Sequence, residues 1–279
     1  MPVRYYKYDK PFVLENGERL SELQIAYHTY GKFKGNNAIW VCHALTANSD
    51  VADWWPRTVE QGRFLDPRRY YVVCANVIGS HYGSTGPLSL NPATGKPYYG
   101  SFPFITVRDM VNAHLLLADH LGVGSVRAVI GSSIGGFQAL EMALARPGFA
   151  ERLALIATAA RSQPWTIAFN ESQRMAIEAD GTFGAEDGEA GKRGMRVSRS
   201  VGLLSYRGSY NATQQENDNL YKVAGFRATT YQQYQGDKLC RRFDAYSYYR
   251  LTQAFDSHNV GRYRGGVESA LSTIRCPAM

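Results

Sequence analysis

The stretch "VRAVIGSSIGGFQALEMALARPG", residues 126–148, contains the pattern that decides the fold. Its first residues are apolar and β-prone with little alternation, as expected of a strand buried on both faces of a parallel sheet. Apolar residues then recur at helical spacing from Phe137 to Leu144, before a Pro-Gly pair that ends the helix. Ser133 falls at the turn between the two elements. The stretch therefore predicts a strand, a sharp turn and a helix.

Gly131, Ser133 and Gly135 form a GxSxG pattern at this turn. Small flanking residues let the backbone turn tightly enough to present the serine hydroxyl above the sheet, as in a nucleophile elbow. The alternative is that the glycines only allow the helix to pack closely on the strand. The strand before the turn and the helix after it favour Ser133 as a nucleophile.

Length and composition limit the class of protein. The chain has 279 residues, of which 44% are hydrophobic, so it can bury one large core as one domain or two. It has no apolar run long enough to span a membrane and no apolar leader at its start, so we expect neither a membrane partner nor a signal peptide. The four cysteines are widely separated and two lie in apparent buried strands, which favours free thiols over disulfides or a metal site. We expect a cytoplasmic protein.

The formal net charge of +7 does not indicate a nucleic-acid partner. The basic residues are scattered, and no run of Lys and Arg reaches the length typical of a nucleic-acid patch. A basic surface that attracts an anionic co-substrate such as a CoA nucleotide and an ordinary solvated surface are both compatible with this distribution.

Apolar strands alternate with helical segments in the first half of the chain, which predicts a mostly parallel α/β sheet. The predicted strands are residues 38–44, 70–76, 126–131 and 153–159. Between the second and third of them, residues 106–122 have a helical pattern. Thr106 and Asp109 have the spacing of a capping box, and Gly122 closes the helix.

The composition changes after residue 160. Residues 164–262 are rich in Gln, Tyr, Arg, Asn and Gly without a strand of the buried type, which predicts a helical insertion over the sheet, called the lid below. Residues 1–163 would form the first part of the core. Residues 263–279 would return to it, with a helix end followed by the first residues of another strand.

A serine that transfers acyl groups needs two backbone N–H donors for the oxyanion. The residue after the nucleophile, Ile134, supplies one of them. The sequence "HALT" (43–46) follows the apolar residues "AIWVC" (38–42), where the second donor is expected, and so points to the amide of Leu45. We expect His43 to hold this loop by a hydrogen bond, because in proteins with such an elbow the histidine of the triad follows the serine in the chain.

Several motifs together resemble the homoserine O-acetyltransferase family of the α/β-hydrolase superfamily. They are "HALTANSD" (43–50), "NVIGSHYGSTGPLSLNPATGKPY" (76–98), "FPFITVRDMV" (102–111), "GSSIGGFQALEMA" (131–143), "SYRG" (205–208), "YQGDKLCRRFDAYSYYRLTQAFDSHNVGR" (234–262) and "RGGVESAL" (264–271). The resemblance runs from about residue 10 to the last residue. One difference is Ala47, where many members have Gly.

The resemblance implies an α/β-hydrolase fold with an inserted helical lid, and a ping-pong transfer of acetyl from acetyl-CoA to L-homoserine in methionine biosynthesis. Ser133 would carry the acetyl group, and acetyl-CoA would be a co-substrate, with no cofactor held permanently and no metal. Arg199 and Tyr206 of the lid would contact the homoserine. A homodimer formed through the lid is also implied, with the aromatic-rich residues 246–255 as a candidate contact surface. Buried packing on the sheet is the alternative explanation for these aromatic residues.

The base that serves Ser133 is the open point. His258 is the only histidine after it, and Asp237, Asp244 or Asp256 would complete an order of serine, acid and histidine. The resemblance implies another arrangement, in which "DSHNVGR" ends the lid and the catalytic Asp and His follow a later strand.

Since "IRCPAM" ends as that strand begins, we expect the catalytic Asp and His and the last strands of the sheet to be missing from this sequence, as a fragment or a truncated product. The truncated chain itself is then expected to have little activity. A serine esterase of the same fold and an inactive, partner-binding remnant are the alternative functions. An acetyl or succinyl donor, and homoserine or serine as acceptor, remain open.

Overall fold

The computed structural model describes residues 1–206, 218 and 221–279, so the last two residues of "SYRG" lie outside it. The strands are β1 (Arg4–Tyr8), β2 (Phe12–Val13), β3 (Arg19–Leu20), β4 (Leu23–Tyr30), β5 (Ala38–Cys42), β6 (Tyr71–Ala75), β7 (Leu90–Asn91), β8 (Lys96–Pro97), β9 (Ala128–Ser132) and β10 (Leu153–Ile156). The α-helices are α1 (Val51–Trp54), α2 (Val107–His120), α3 (Ile134–Ala145), α4 (Pro164–Glu178), α5 (Lys192–Tyr206), α6 (Arg227–Cys240), α7 (Ala245–Asp256) and α8 (Val267–Leu271), and a short 3₁₀ helix covers Tyr99–Ser101.

A six-stranded sheet in the order β1-β4-β6-β5-β9-β10 forms the centre of the fold. The pairs β6–β5, β5–β9 and β9–β10 are parallel, whereas β1 and β4 are antiparallel to their neighbours. The mostly parallel α/β sheet predicted from the alternating pattern is therefore confirmed. The strand predicted at 153–159 is shorter than expected, because Ala157 adopts a positive φ of 48° and turns the chain after Ile156.

The residues after α8 return to the sheet. Leu153 of β10 forms a parallel bridge with Ala278, and its N–H donates to the carbonyl of Pro277 at 2.9 Å. The N–H of Leu155 donates to the carbonyl of Met279 at 2.8 Å. The prediction that this segment begins another strand is confirmed.

Helices α2 and α3 pack against each other and supply much of the core. At the start of α2, the Thr106 hydroxyl accepts from the Asp109 N–H while the Asp109 carboxylate accepts from the Thr106 N–H, so the predicted capping box is present. Trp40 of β5 and Phe149 are fully buried within this core. The four cysteines are free, as predicted.

Helices α4 to α7 lie within the lid as it was bounded from the sequence. The long helices α4 and α5 pack side by side, and α7 packs beneath α4. Helix α7 is a poor candidate for a dimer surface, because Tyr246, Tyr248 and Leu251 are buried inside the chain. The expectation that residues 246–255 form a contact surface is therefore wrong. Among the described residues, no helix is long and apolar enough to cross a membrane.

Candidate active site

Ser133 lies between β9 and α3 with a strained backbone. Its φ of 57° and ψ of −126° are unfavourable for any residue with a side chain and persist only where the surroundings enforce them. The Ser133 N–H donates to the carbonyl of Ile156 at 3.0 Å, and the Thr158 hydroxyl donates to the Ser133 carbonyl at 3.0 Å. The strand–turn–helix context predicted for the motif is present, and neighbouring residues hold the turn on two sides.

The two glycines of the motif are required by close backbone contacts. A Cβ on Gly131 would lie 2.0 Å from the carbonyl oxygen of Gly135. A Cβ on Gly135 would lie 2.3 Å from the carbonyl oxygen of Cys42, at the end of the neighbouring strand β5. The second contact brings the start of α3 against the segment that begins at His43. The pattern GxSxG thus reflects steric necessity at both glycines.

The N–H of Ile134 is available as an oxyanion donor. Ile134 is the first residue of α3, where backbone N–H groups have no intrahelical acceptor. The partial positive charge at a helix N-terminus also favours an anion at this position. Within the described part of the chain, the Ile134 N–H forms no hydrogen bond, which leaves it free to receive a ligand oxygen.

The oxyanion loop, residues 43–47, follows β5, whose Cys42 is paired in register with Gly131 of β9. The Ala44 carbonyl accepts from the Ala47 N–H at 3.0 Å and lies 2.8 Å from the Nδ1 of His43. Since a peptide group is planar and its C=O and N–H point in opposite directions, fixing the Ala44 carbonyl also fixes the direction of the Leu45 N–H. The Leu45 amide is thereby held in one orientation.

The hydrogen bonds of His43 determine its tautomer. Its Nε2 accepts from the Val77 N–H at 3.1 Å, so its Nδ1 carries the proton that it donates to the Ala44 carbonyl. The ring is buried, and burial lowers the pKa of His43 to about 4, which keeps it neutral at physiological pH. The expectation that His43 holds the loop by a hydrogen bond is confirmed.

His258 is buried in the core and is not placed as a base. Its ring stacks on Phe137 with centroids 3.9 Å apart, and its Nε2 lies 3.3 Å from the Ala159 carbonyl. Burial lowers the pKa of His258 to about 4. Among the described residues, no hydrogen bond joins it to Ser133.

The three aspartates considered as partners of a base have other roles. Asp237 pairs with Arg196, Asp256 pairs with Arg174 and accepts from Asn170, and Asp244 caps α7 and bonds to His81. The geometry therefore gives no support to a triad made of His258 and one of these carboxylates.

The predicted acceptor contacts, Arg199 and Tyr206, lie close together on α5. The Arg199 guanidinium is 5.8 Å from the centroid of the Tyr206 ring. Tyr206 is 57% exposed, and desolvation by the surrounding protein raises the pKa of its phenol. In the described residues, no hydrogen bond or ring contact joins either side chain to Ser133.

Thr158 was missed by the analysis of the sequence. Besides its bond to the Ser133 carbonyl, its side chain would lie 2.5 Å from a Cβ on Gly136, so it packs directly against the first turn of α3. The signal available was its position just after the apolar strand that pairs with β9. Within residues 1–206, 218 and 221–279, no cluster of three or more His, Cys, Asp or Glu could hold a metal ion.

Comparisons with known proteins agree with this geometry. Residues 37–274 match the α/β-hydrolase fold family. The chain therefore has the α/β-hydrolase fold, with Ser133 at the turn between β9 and α3.

A homoserine O-acetyltransferase of Cyclobacterium marinum is 45% identical over 268 residues, which cover 95% of this chain and 76% of that protein. The crystal structure of a homoserine O-acetyltransferase from Staphylococcus aureus shares 30% identity with a TM-score of 0.80, covering 99% of this chain and 78% of that one. Esterase E22 shares 25% identity with a TM-score of 0.86, covering 99% of this chain and 83% of that one. Within the α/β hydrolases, the chain belongs to the homoserine O-acetyltransferase family.

Proposed function

We propose that this protein transfers an acetyl group from acetyl-CoA to the side-chain hydroxyl of L-homoserine. The observation that carries the proposal is the Ser133 elbow, whose helix start packs against the segment that leads into the Leu45 loop, in a chain that is 45% identical to a homoserine O-acetyltransferase. Family membership supplies the substrates, and the geometry supplies the nucleophile and the donors.

The reaction proceeds in two acyl transfers. The Ser133 oxygen attacks the thioester carbonyl, the oxyanion accepts from the Ile134 and Leu45 N–H groups, and the C–S bond breaks to release CoA as its thiol. The homoserine hydroxyl then attacks the acetyl-serine and the Ser133 hydroxyl is restored. A base passes the Ser133 proton to the departing CoA sulfur in the first transfer, and passes the proton of the homoserine hydroxyl to the Ser133 oxygen in the second. The resemblance assigns this role to an Asp–His pair that follows a later strand than β10.

The side chains of Arg199 and Tyr206 are proposed to bind the homoserine. A guanidinium offers paired N–H donors that match an α-carboxylate, and a phenol can accept from an ammonium group or donate to the carboxylate. Their proximity to each other on α5 supports this assignment. Because water would not use these contacts, they favour an amino acid as acceptor over the hydrolysis that an esterase performs.

We also propose a homodimer in the cytoplasm, with no permanently bound cofactor. Large apolar side chains are exposed on α4 and α5, including Trp165, Met175 and Leu204. Such a surface on the lid is suited to a second copy of the chain. Sedimentation of the purified protein as a monomer at micromolar concentration would reject the dimer.

The test of the function is acetylation of Ser133 in the product of the complete gene. After mixing with acetyl-CoA, we expect an acetyl group on the peptide that contains Ser133, and O-acetylhomoserine once homoserine is added. Ser133→Ala should abolish both without unfolding the protein, whereas the neighbouring Ser132→Ala should retain both. An acetyl adduct that persists in Ser133→Ala, or release of acetate in place of O-acetylhomoserine, would contradict the proposal.

A further inference from the structure

Arg242 lies between α6 and α7 of the lid and reaches across to the oxyanion loop. Its Nη1 donates to the carbonyl of Thr46 at 2.5 Å and also to the hydroxyl of Tyr82 at 2.5 Å. Its Nη2 lies 3.5 Å from the Thr46 hydroxyl. These contacts join the lid to the loop that presents the Leu45 amide. We propose that Arg242 is a positioning residue that holds this loop in its catalytic conformation, an inference that rests on the proposed function.

The turn geometry shows why a contact at Thr46 acts on Leu45. The bond from the Ala47 N–H to the Ala44 carbonyl closes a turn in which Leu45 and Thr46 are the two central residues. His43 fixes the peptide group before Leu45, and Arg242 fixes the carbonyl after Thr46. The central peptide group of the turn is thus held on both sides. If Arg242 is removed, the peptide group after Thr46 is held by the Ala47 N–H bond alone, and the turn is less restrained.

Residues next to Arg242 fix its own position. Phe243 is buried, with its ring 5.7 Å from that of Tyr82 and 5.6 Å from that of His81. The Asp244 carboxylate lies 2.9 Å from the Nδ1 of His81 and also caps α7. Three consecutive residues therefore contact the two loops that follow β5 and β6. Such support from neighbouring contacts distinguishes Arg242 from an unattached surface arginine, although the residue is exposed.

The contacts also argue against a role in binding a substrate anion. The Nη1 atom already donates to two oxygens, one of them a backbone carbonyl, and hydrogen bonds from a charged donor are stronger than those from a neutral one. An arginine that bound a carboxylate or phosphate would need its paired N–H groups free for that ligand. Arg242 instead commits its Nη1 to Thr46 and Tyr82.

The experiment compares Arg242→Ala and Arg242→Lys with Arg241→Ala, an exposed neighbour that serves as the matched control. In Arg242→Ala we expect amide hydrogen exchange of the peptide covering residues 43–48 to become faster, with the capped start of α2 unchanged. The kcat should fall about 10- to 100-fold, because loss of a whole oxyanion donor lowers it about 10²- to 10³-fold and a misplaced donor less. The KM for each substrate should change less than about twofold, because Arg242 holds a donor that acts in the transition state.

Arg242→Lys keeps the positive charge without the paired N–H groups, and should be faster than Arg242→Ala but slower than the wild type. Added methylguanidinium should also restore part of the rate of Arg242→Ala. A raised KM for acetyl-CoA or homoserine with kcat unchanged would show a binding residue and overturn the proposal. So would unchanged exchange at residues 43–48. Hydrolysis of 4-nitrophenyl acetate is measured in parallel. If the wild type fails to acetylate homoserine, the proposed function is wrong. A loss of esterase rate of about 10- to 100-fold in Arg242→Ala would in that case still support the positioning role.

Discussion

Gly135 sets the distance between the nucleophile and the oxyanion loop. Its position in α3 allows only a hydrogen atom between the helix and the Cys42 carbonyl, since a Cβ there would lie 2.3 Å from that oxygen. Alanine would gain about 0.5–1 kcal/mol from its better helix propensity. However, its Cβ would overlap with backbone atoms of Cys42 and His43, and a rotamer change cannot relieve that overlap. The steric term is therefore the larger one.

We predict that Gly135→Ala lowers the free energy of unfolding by about 1–3 kcal/mol and reduces kcat by moving the oxyanion loop away from Ser133. Urea unfolding and steady-state kinetics measure the two effects. Gly124→Ala is the control, because a Cβ on Gly124 meets no atom within 4 Å. Equal stability of the two variants would show that the helix start can shift to make room.

For Arg199, the expected change is in binding. Arg199→Ala should raise the KM for homoserine about 10- to 100-fold, because a hydrogen bond to a charged group is worth roughly 1.5–3 kcal/mol, and should leave the KM for acetyl-CoA nearly unchanged. Arg193→Ala, an exposed arginine earlier on the same helix, is the control. Similar increases in the KM for homoserine and the KM for acetyl-CoA would indicate a structural role for Arg199.

The sequence predicts those site residues whose role depends on neighbours in the chain. The elbow around Ser133 needs small residues at fixed offsets, and the oxyanion loop follows a recognisable strand. Arg242 was not predicted, because its partner Thr46 is 196 residues away and no local pattern marks such a pair. Thr158 was missed for the same reason, since its contact with Ser133 forms only when β10 lies beside β9.

At the scale of elements, a network of ion pairs joins α3 to the segment that follows the lid. Glu141 of α3 pairs with Arg108 of α2 at 2.8 Å and with Arg264 at 2.5 Å, and its side chain is only 3% exposed. Glu15 pairs with Arg108 and with Arg262. The network attaches the start of the chain and the segment after α7 to the helix that begins at Ser133.

We predict that Glu141→Gln lowers the free energy of unfolding by about 3 kcal/mol, because breaking a buried pair leaves desolvated charges without a partner. The control is Asp119→Asn, which removes an ion pair to Arg146 at the surface and should change stability by less than about 1 kcal/mol. Chemical denaturation at pH 7 gives the free energy of unfolding of each variant and of the wild type. A similar small effect in both variants would show that water reaches the Glu141 site.

Element types were predicted more reliably than element contacts. Strands β5, β6 and β9 were predicted because each is a short apolar run buried on both faces. Strand β4 is equally buried, but its Gln, His and Thr residues hide the apolar pattern, and its pairing with β1 and β6 makes it a strand. Helix α7 was assigned to a surface from its aromatic content, whereas the same residues pack inside the lid.

For the molecule as a whole, buried histidines make stability depend on pH. Burial lowers the pKa of His43 and His258 to about 4 and that of His114 to about 3, whereas each would have a pKa near 6.5 in the unfolded chain. Because the unfolded state binds these protons first, the stability they contribute is complete above pH 6.5 and is lost as the pH falls toward 4. Asp109 and Asp256, whose pKa values are raised by burial, act in the opposite direction near pH 4.

We therefore predict that the free energy of unfolding falls steadily between pH 6.5 and pH 4.5, as measured by urea unfolding at several pH values. His258→Gln should be less stable at pH 7, because its stack on Phe137 is lost, and should show a weaker pH dependence. His120→Gln, at an exposed position, should keep the slope of the wild type. A stability that stays constant over this range would contradict the prediction.

The contacts of residues 242–244 have a consequence for how members of this fold can diverge. The nucleophile and its donors come from the ends of the parallel strands, whereas the residues proposed to select the acceptor come from α5. Exchanging lids between a transferase and an esterase of this fold is then a natural route to a new specificity. Arg242 and Asp244 contact the loops after β5 and β6 directly. A chimaera that imports a foreign lid must therefore keep these two residues and their partners together, or it will gain a new pocket above a weakened oxyanion site.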